Sequence, residues 1–125
     1  MLQLKLIHFK WTATAWLIFI SILFVLPGSA LPREHWFDKI YVDKWVHVLF
    51  FAILLFLWRS AIQQGSRIHS YILLLLAFLY GLTVEFVQEN WVPNRSFDWF
   101  DVLADIIGSV AGLLLWGMGK KNKPL

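Results

Sequence analysis

The chain has 125 residues, 59% of them hydrophobic and 15% charged, with eleven Lys or Arg, eight Asp or Glu, a formal net charge of +3 and no Cys. A soluble domain is about a quarter charged, so at a mean hydropathy of +0.65 a water-soluble core and a disordered chain are both excluded. The pI near 9.4 does not imply nucleic acid, because the basic residues form no patch with stacking residues; without Cys there is no disulfide or thiolate metal site.

A helix needs roughly 20 apolar residues to cross about 30 Å of hydrocarbon. Between Lys10 and Arg33 lie 22 uncharged residues, broken by Pro27-Gly28-Ser29, which predicts a first span over 11–27. Lys5, Lys10 and the small residues Gly28-Ser29-Ala30 also fit a signal peptide. The length of the apolar run, with Trp11 and Trp16 inside it, favours an uncleaved span. The second span is expected over 43–61. The polar linker Gln63-Gln64-Gly65-Ser66-Arg67 separates it from the third, 70–90. After the turn Trp91-Val92-Pro93-Asn94-Arg95-Ser96 comes the fourth, 97–118, and then the basic tail Lys120, Lys121 and Lys123. Trp11, Trp36, Trp45, Trp58, Trp91, Trp99 and Trp116 fall near helix ends or in linkers, where indole favours the headgroup region; Trp16 does not. The expected fold is all-α: a single domain forming an integral membrane four-helix bundle.

Loop charge sets the orientation. The side holding both termini carries Lys5, Lys10, Arg59, Arg67, Lys120, Lys121 and Lys123, seven cations, against four (Arg33, Lys39, Lys44 and Arg95) on the other. Both termini are therefore expected in the cytoplasm. All eight acids, Glu34, Asp38, Asp43, Glu85, Glu89, Asp98, Asp101 and Asp105, fall on the outer side.

Some of these charges lie deep. The charge-free runs Trp45 to Trp58 and Ile106 to Gly119 have 14 residues each, or roughly 21 Å of helix. The remaining span must come from segments bearing Lys44, His47, Asp101 and Asp105. Charge at depth costs several kcal/mol unless it faces a partner or a wet cavity. Helical spacing puts Asp43 and His47 on one face with Lys44 beside it, Glu85, Gln88 and Glu89 on a second, and Asp98, Asp101 and Asp105 on a third. Gly108 and Gly112 continue that third stripe inward as a close-packing motif, and Gly81 is expected to serve helix three similarly.

The blocks Asp43-Lys44-x-x-His47-x-x-x-Phe51, Tyr80-Gly81-x-x-x-Glu85-x-x-Gln88 and Arg95-Ser96-x-Asp98-x-x-Asp101-x-x-x-Asp105-x-x-Gly108-x-x-x-Gly112 occur in that order. Together they resemble the VanZ-like family over about residues 38–115. The resemblance implies a multi-pass protein of the bacterial cytoplasmic membrane and cell envelope, with an outer-leaflet site and a link to teicoplanin (glycopeptide) resistance. Such proteins often carry Asn where this chain has Asp105.

Each polar residue also has a structural reading. Asp98 falls in the first turn of helix four, where negative charge is favoured, with Ser96 a plausible N-cap. Glu85 and Glu89 near the end of helix three need compensation from Arg95, Lys44, His47 or a cation. A purely structural ion-pair network accounts for the same residues. Of the functional readings, one is an outer pocket for an envelope lipid or cell-wall precursor, with Asp43, Lys44, His47, Glu85, Gln88, Arg95, Asp98, Asp101 and Asp105 as pocket residues. Its carboxylates would accept sugar hydroxyls, while Lys44 and Arg95 contact phosphate. Another is a divalent cation, Mg²⁺, Ca²⁺ or Mn²⁺, held by Glu85, Asp101, Asp105 and His47 for hydrolysis or phosphoryl transfer. No charge relay crosses the bilayer, which disfavours transport. A structural role as a subunit of a membrane complex, or a homo-oligomer, fits a bundle this small.

Overall fold

A computed structural model of the chain describes residues 2–27, 29, 41–62 and 65–121. The expectations placed on Arg33, Glu34, Trp36, Asp38, Lys39, Gln63, Gln64 and Lys123 lie outside the described residues, as do the side chains of Lys5, Lys120 and Lys121. The elements are α1 (Leu2–Phe24), α2 (Val42–Ala61), α3 (Arg67–Trp91) and α4 (Trp99–Lys121), and no strand occurs among the described residues.

Three helices are long and apolar enough to cross a membrane: α2, α3 and, over Trp99–Gly119, α4. α1 offers a shorter apolar stretch, His8–Phe24. It begins before the expected residue 11, because Lys5 and Lys10 are good helix formers. It stops short of residue 27, because the Pro27 ring crowds a helical residue in front of it. The last turn tightens accordingly, with the amides of Val25 and Leu26 donating to Ile22 O and Leu23 O at 3.3 Å each. The outward surfaces are apolar, with Leu75, Leu76, Leu114 and Leu115 each more than half exposed. Water would make such a surface an aggregation hazard, whereas hydrocarbon solvates it. Trp45, Trp91 and Trp99 are exposed near helix ends, as an interfacial belt requires, whereas Trp11, expected near a helix end, is exposed well inside α1, close to the start of its apolar stretch.

α2 is the central helix, packed most extensively on α4 and next on α1; α3 lies mainly on α4 and meets α2 less. The shared core joins Ile20 and Phe24 of α1, Phe51, Leu54 and Leu55 of α2, and Ala77 of α3. Lipid tails are as apolar as Leu, so close contact and internal hydrogen bonds must decide such packing. Trp16 Nε1 donates to Phe50 O at 3.0 Å, tying α1 to α2. The Ser21 hydroxyl donates to Leu17 O at 2.7 Å and accepts from Tyr80 O–H at 2.6 Å, tying α1 to α3. Where α2 meets α4, a Cβ on Gly108 would overlap the Val48 carbonyl, and one on Gly112 the Ala52 carbonyl. The two glycines thus let the backbones of α2 and α4 touch.

Every acid among the described residues lies at one end of the bundle, where α2 and α4 begin and α3 finishes. The opposite end is organised by Arg59, which enters the sequence reading only as one of the charges that set orientation and which is 1% exposed. Its Nε donates to Ser70 Oγ at 2.9 Å, its Nη2 to Ser66 O at 3.4 Å, and its guanidinium carbon lies 3.9 Å over the Trp116 ring. One side chain therefore joins the end of α2, the start of α3 and the last turns of α4. Arg59→Ala is expected to destabilise by about 2–4 kcal/mol, through lost stacking and orphaned partners. Arg59→Lys recovers little, because an ammonium cannot stack and fork at once. Thermal unfolding in detergent checks this, and unchanged midpoints for both variants would refute it.

Candidate functional site

The acidic end begins with how two helices start. α2 follows Tyr41, whose φ of 54° and ψ of 48° are left-handed, an outlier for a bulky residue. Its first turns then present Asp43, Lys44 and His47. α4 starts at Trp99, and Asp98 Oδ1 accepts the Phe100 N–H at 2.9 Å. Asp98, rather than Ser96, is thus the N-cap, which satisfies one of the orphan amides of that terminus. The expected start at residue 97 places Asp98 inside the first turn; the helix begins two residues later, at Trp99.

Lys44 binds the two helix starts together. Its Nζ lies 2.6 Å from each of Asp43 Oδ2, Asp98 Oδ2 and Asp101 Oδ1. Those three carboxylates are themselves close enough to hold a cation, and the ammonium already takes that place. One turn deeper, His47 is 5% exposed and Asp105 1%. His47 Nδ1 lies 2.7 Å from Asp105 Oδ1; an ionised carboxylate can only accept, so with Asp105 ionised the Nδ1–H is the donor. That leaves Nε2 turned toward Asp101 Oδ2, 3.7 Å away. Phe24 of α1 covers this pair, its ring stacked on the imidazole at 4.9 Å between centroids. Nothing local in the sequence marks Phe24, which reaches His47 only through tertiary packing.

From α3, Glu85 is wholly buried and its Oε2 accepts the Asp98 N–H at 3.0 Å. Its Oε1 and Asp105 Oδ2 are buried with no hydrogen-bond partner among the described residues. Asp105 Oδ2 lies against Gly81, where a Cβ would come within 2.6 Å of it. Gly81 therefore makes room for a carboxylate rather than for a neighbouring helix. Five carboxyl groups, Asp43, Glu85, Asp98, Asp101 and Asp105, meet here with Lys44 and one imidazole. Such an excess of buried acid requires compensation by a proton or a cation.

Two expected pocket residues give hydrogen bonds to α1. Gln88 is 1% exposed and its Nε2 donates to Phe24 O at 2.8 Å. Arg95 Nε donates to Leu26 O at 3.3 Å. Both cap the carbonyl end of α1, which would otherwise be unsatisfied. Burial pulls the Arg95 guanidinium below its ordinary pKa, while Asp101 and Glu85 pull it back up. The expected third-helix acid Glu89 is exposed and stands apart from the cluster.

Beside the cluster, a groove of about 460 Å³ runs between α2 and α4, lined by Tyr41, Lys44, Trp45, Val48, Phe100, Leu103, Ala104 and Ile107. Its walls are apolar and aromatic, and Lys44 is its charged member.

Fold and site together define an all-α protein with three helices long and apolar enough to span a membrane and a lysine-bridged cluster of carboxyl groups at one end, of which Glu85, Asp101 and Asp105 are buried. The VanZ/LLP1 family model matches residues 1–119, and the chain belongs to that family. No curated protein and no solved structure matches it.

Proposed function

We propose that this VanZ/LLP1-family protein binds a lipid with a polar headgroup at the acidic end of the bundle, in the outer leaflet of a bacterial cytoplasmic membrane. The observation that carries the reading is the groove between α2 and α4. Its apolar walls suit an acyl or prenyl chain, and Lys44 stands at the edge of the carboxylate cluster, where a headgroup would lie. Pockets of this size, largely apolar with a few convergent polar groups, are the usual form of a small-molecule site. The carboxylates accept hydroxyl groups of a sugar. In this reading α1 is a fourth crossing, and both termini lie on the cytoplasmic side, since the loops there carry the excess of Lys and Arg. A lipid-linked cell-wall precursor is the ligand class that joins this chemistry to glycopeptide resistance.

The test fills the groove and leaves the acidic cluster alone. Leu103 and Ile107 are each about half exposed on its wall, so Leu103→Trp and Ile107→Trp block the groove at small risk to the core. Mass spectrometry of protein released from bacterial-lipid nanodiscs should show a retained envelope lipid for the native chain. Both variants should show at least tenfold lower occupancy with unchanged thermal unfolding. Equal occupancy of the same lipid in all three proteins would refute the reading.

A further inference from the structure

We infer that His47 Nε2, Glu85 and Asp101 together hold one divalent transition-metal ion, with Asp105 as the residue that positions His47. These three side chains each offer a ligand atom, and the three atoms lie within 4.8 Å of one another. They come from α2, α3 and α4, so the ion would tie together the three membrane-spanning helices.

An acidic cluster alone would not carry this assignment. A second, independent observation does. Glu85 is 0% exposed and its Oε2 is satisfied by the Asp98 amide, but the side chain otherwise meets the Asp101 carboxyl, so Oε1 has no N–H or hydroxyl donor among the described residues. A buried carboxylate oxygen left without a donor is expensive, and a metal ion supplies what is missing. The imidazole is also prepared as a ligand. Its Nδ1–H is given to Asp105 Oδ1 at 2.7 Å, and its Nε2 faces Asp101 Oδ2 at 3.7 Å. Metal-bound histidines characteristically donate their other ring N–H to a carboxylate, which sets the tautomer and the ring direction. Phe24 stacked on the ring restricts its rotation further.

The geometry changes the ligand set expected from sequence. Asp105 moves from ligand to positioning residue, which leaves His47, Glu85 and Asp101 of the expected set as the ligands. One imidazole with two carboxylates favours Mn²⁺ or Zn²⁺ over Mg²⁺ and Ca²⁺, which prefer oxygen alone. Lys44 remains bonded to Asp101 Oδ1, on the opposite oxygen from the one facing His47.

The assignment stands apart from the lipid reading, because its test uses metal ions alone. Full-length protein in detergent, stripped with chelator and dialysed, is titrated with MnCl₂, ZnCl₂ and MgCl₂. Calorimetry and the shift in thermal midpoint are the readouts, together with the Mn²⁺ spin-resonance spectrum. One Mn²⁺ or Zn²⁺ per chain is expected, with Mg²⁺ at least tenfold weaker. Glu85→Gln and His47→Gln should each abolish saturable binding. Asp105→Asn should weaken it about 10- to 100-fold, whereas Glu89→Gln, at an exposed position outside the cluster, should leave it unchanged. Absence of saturable binding by the folded native chain would overturn the inference and leave a shared proton as the compensating charge. Binding that persists unaltered in folded Glu85→Gln would overturn it as well. Should Glu85→Gln fail to fold, the metal-dependent midpoint shift of the native chain and the His47→Gln titration decide.

Discussion

Lys44→Met is expected to destabilise the bundle by about 2–4 kcal/mol, more than any other single change in the acidic cluster. Removing one partner of a buried ion pair leaves an uncompensated charge, at roughly 3–5 kcal/mol when burial is complete. Here the discount is moderate: Asp101 is 12% exposed and Asp98 36%, whereas Asp43, at 63%, is largely free to rehydrate. The same ammonium joins the starts of α2 and α4, so its loss loosens the helix pair as well as the charge balance. A double variant, Lys44→Met with Asp101→Asn, should regain at least about 1 kcal/mol, because residues in one ion-pair network couple by that order. Equilibrium unfolding in mixed micelles measures both values. If the double variant is no more stable than Lys44→Met alone, the bridge to Asp101 is not what Lys44 contributes.

Gly108→Val is expected to be the most damaging substitution outside the cluster, at about 3 kcal/mol or more. The new Cβ would overlap the Val48 carbonyl, and backbone cannot swing aside as a flexible side chain can. The helices must separate, which also pulls Lys44 from Asp98 and Asp101, and His47 from Asp105. Gly112→Ala should act alike through the Ala52 carbonyl. Gly117 is the control, since a Cβ there meets nothing within 4 Å. Gly117→Ala should be neutral or stabilising, as Ala is favoured over Gly in a helix by up to about 1 kcal/mol. Thermal midpoints ordered Gly117→Ala, native, Gly112→Ala, Gly108→Val would support the close α2–α4 contact; equal midpoints would refute it.

The sequence by itself determined what depends on local pattern. Continuous apolar runs identify the helices, since hydrocarbon leaves the backbone little alternative to pairing with itself. Pro27 marks the end of α1, and Gly108-x-x-x-Gly112 marks a close helix contact. The spacing of Asp43 with His47, and of Asp98 with Asp101 and Asp105, follows from the turn of a helix and locates the expensive charges. Only the tertiary structure decided which charge meets which. Lys44 bridges three aspartates, His47 turns to Asp105, and Glu85 reaches the amide of Asp98. Gln88, read from its spacing as a pocket residue, and Arg95, read as a compensating and phosphate-contacting charge, give hydrogen bonds to the carbonyl end of α1. Arg59, read as a loop charge, is buried over Trp116. These pairings depend on how far each helix is rotated and slid against its neighbours. Helical periodicity places residues on a face; packing between distant segments chooses what that face meets.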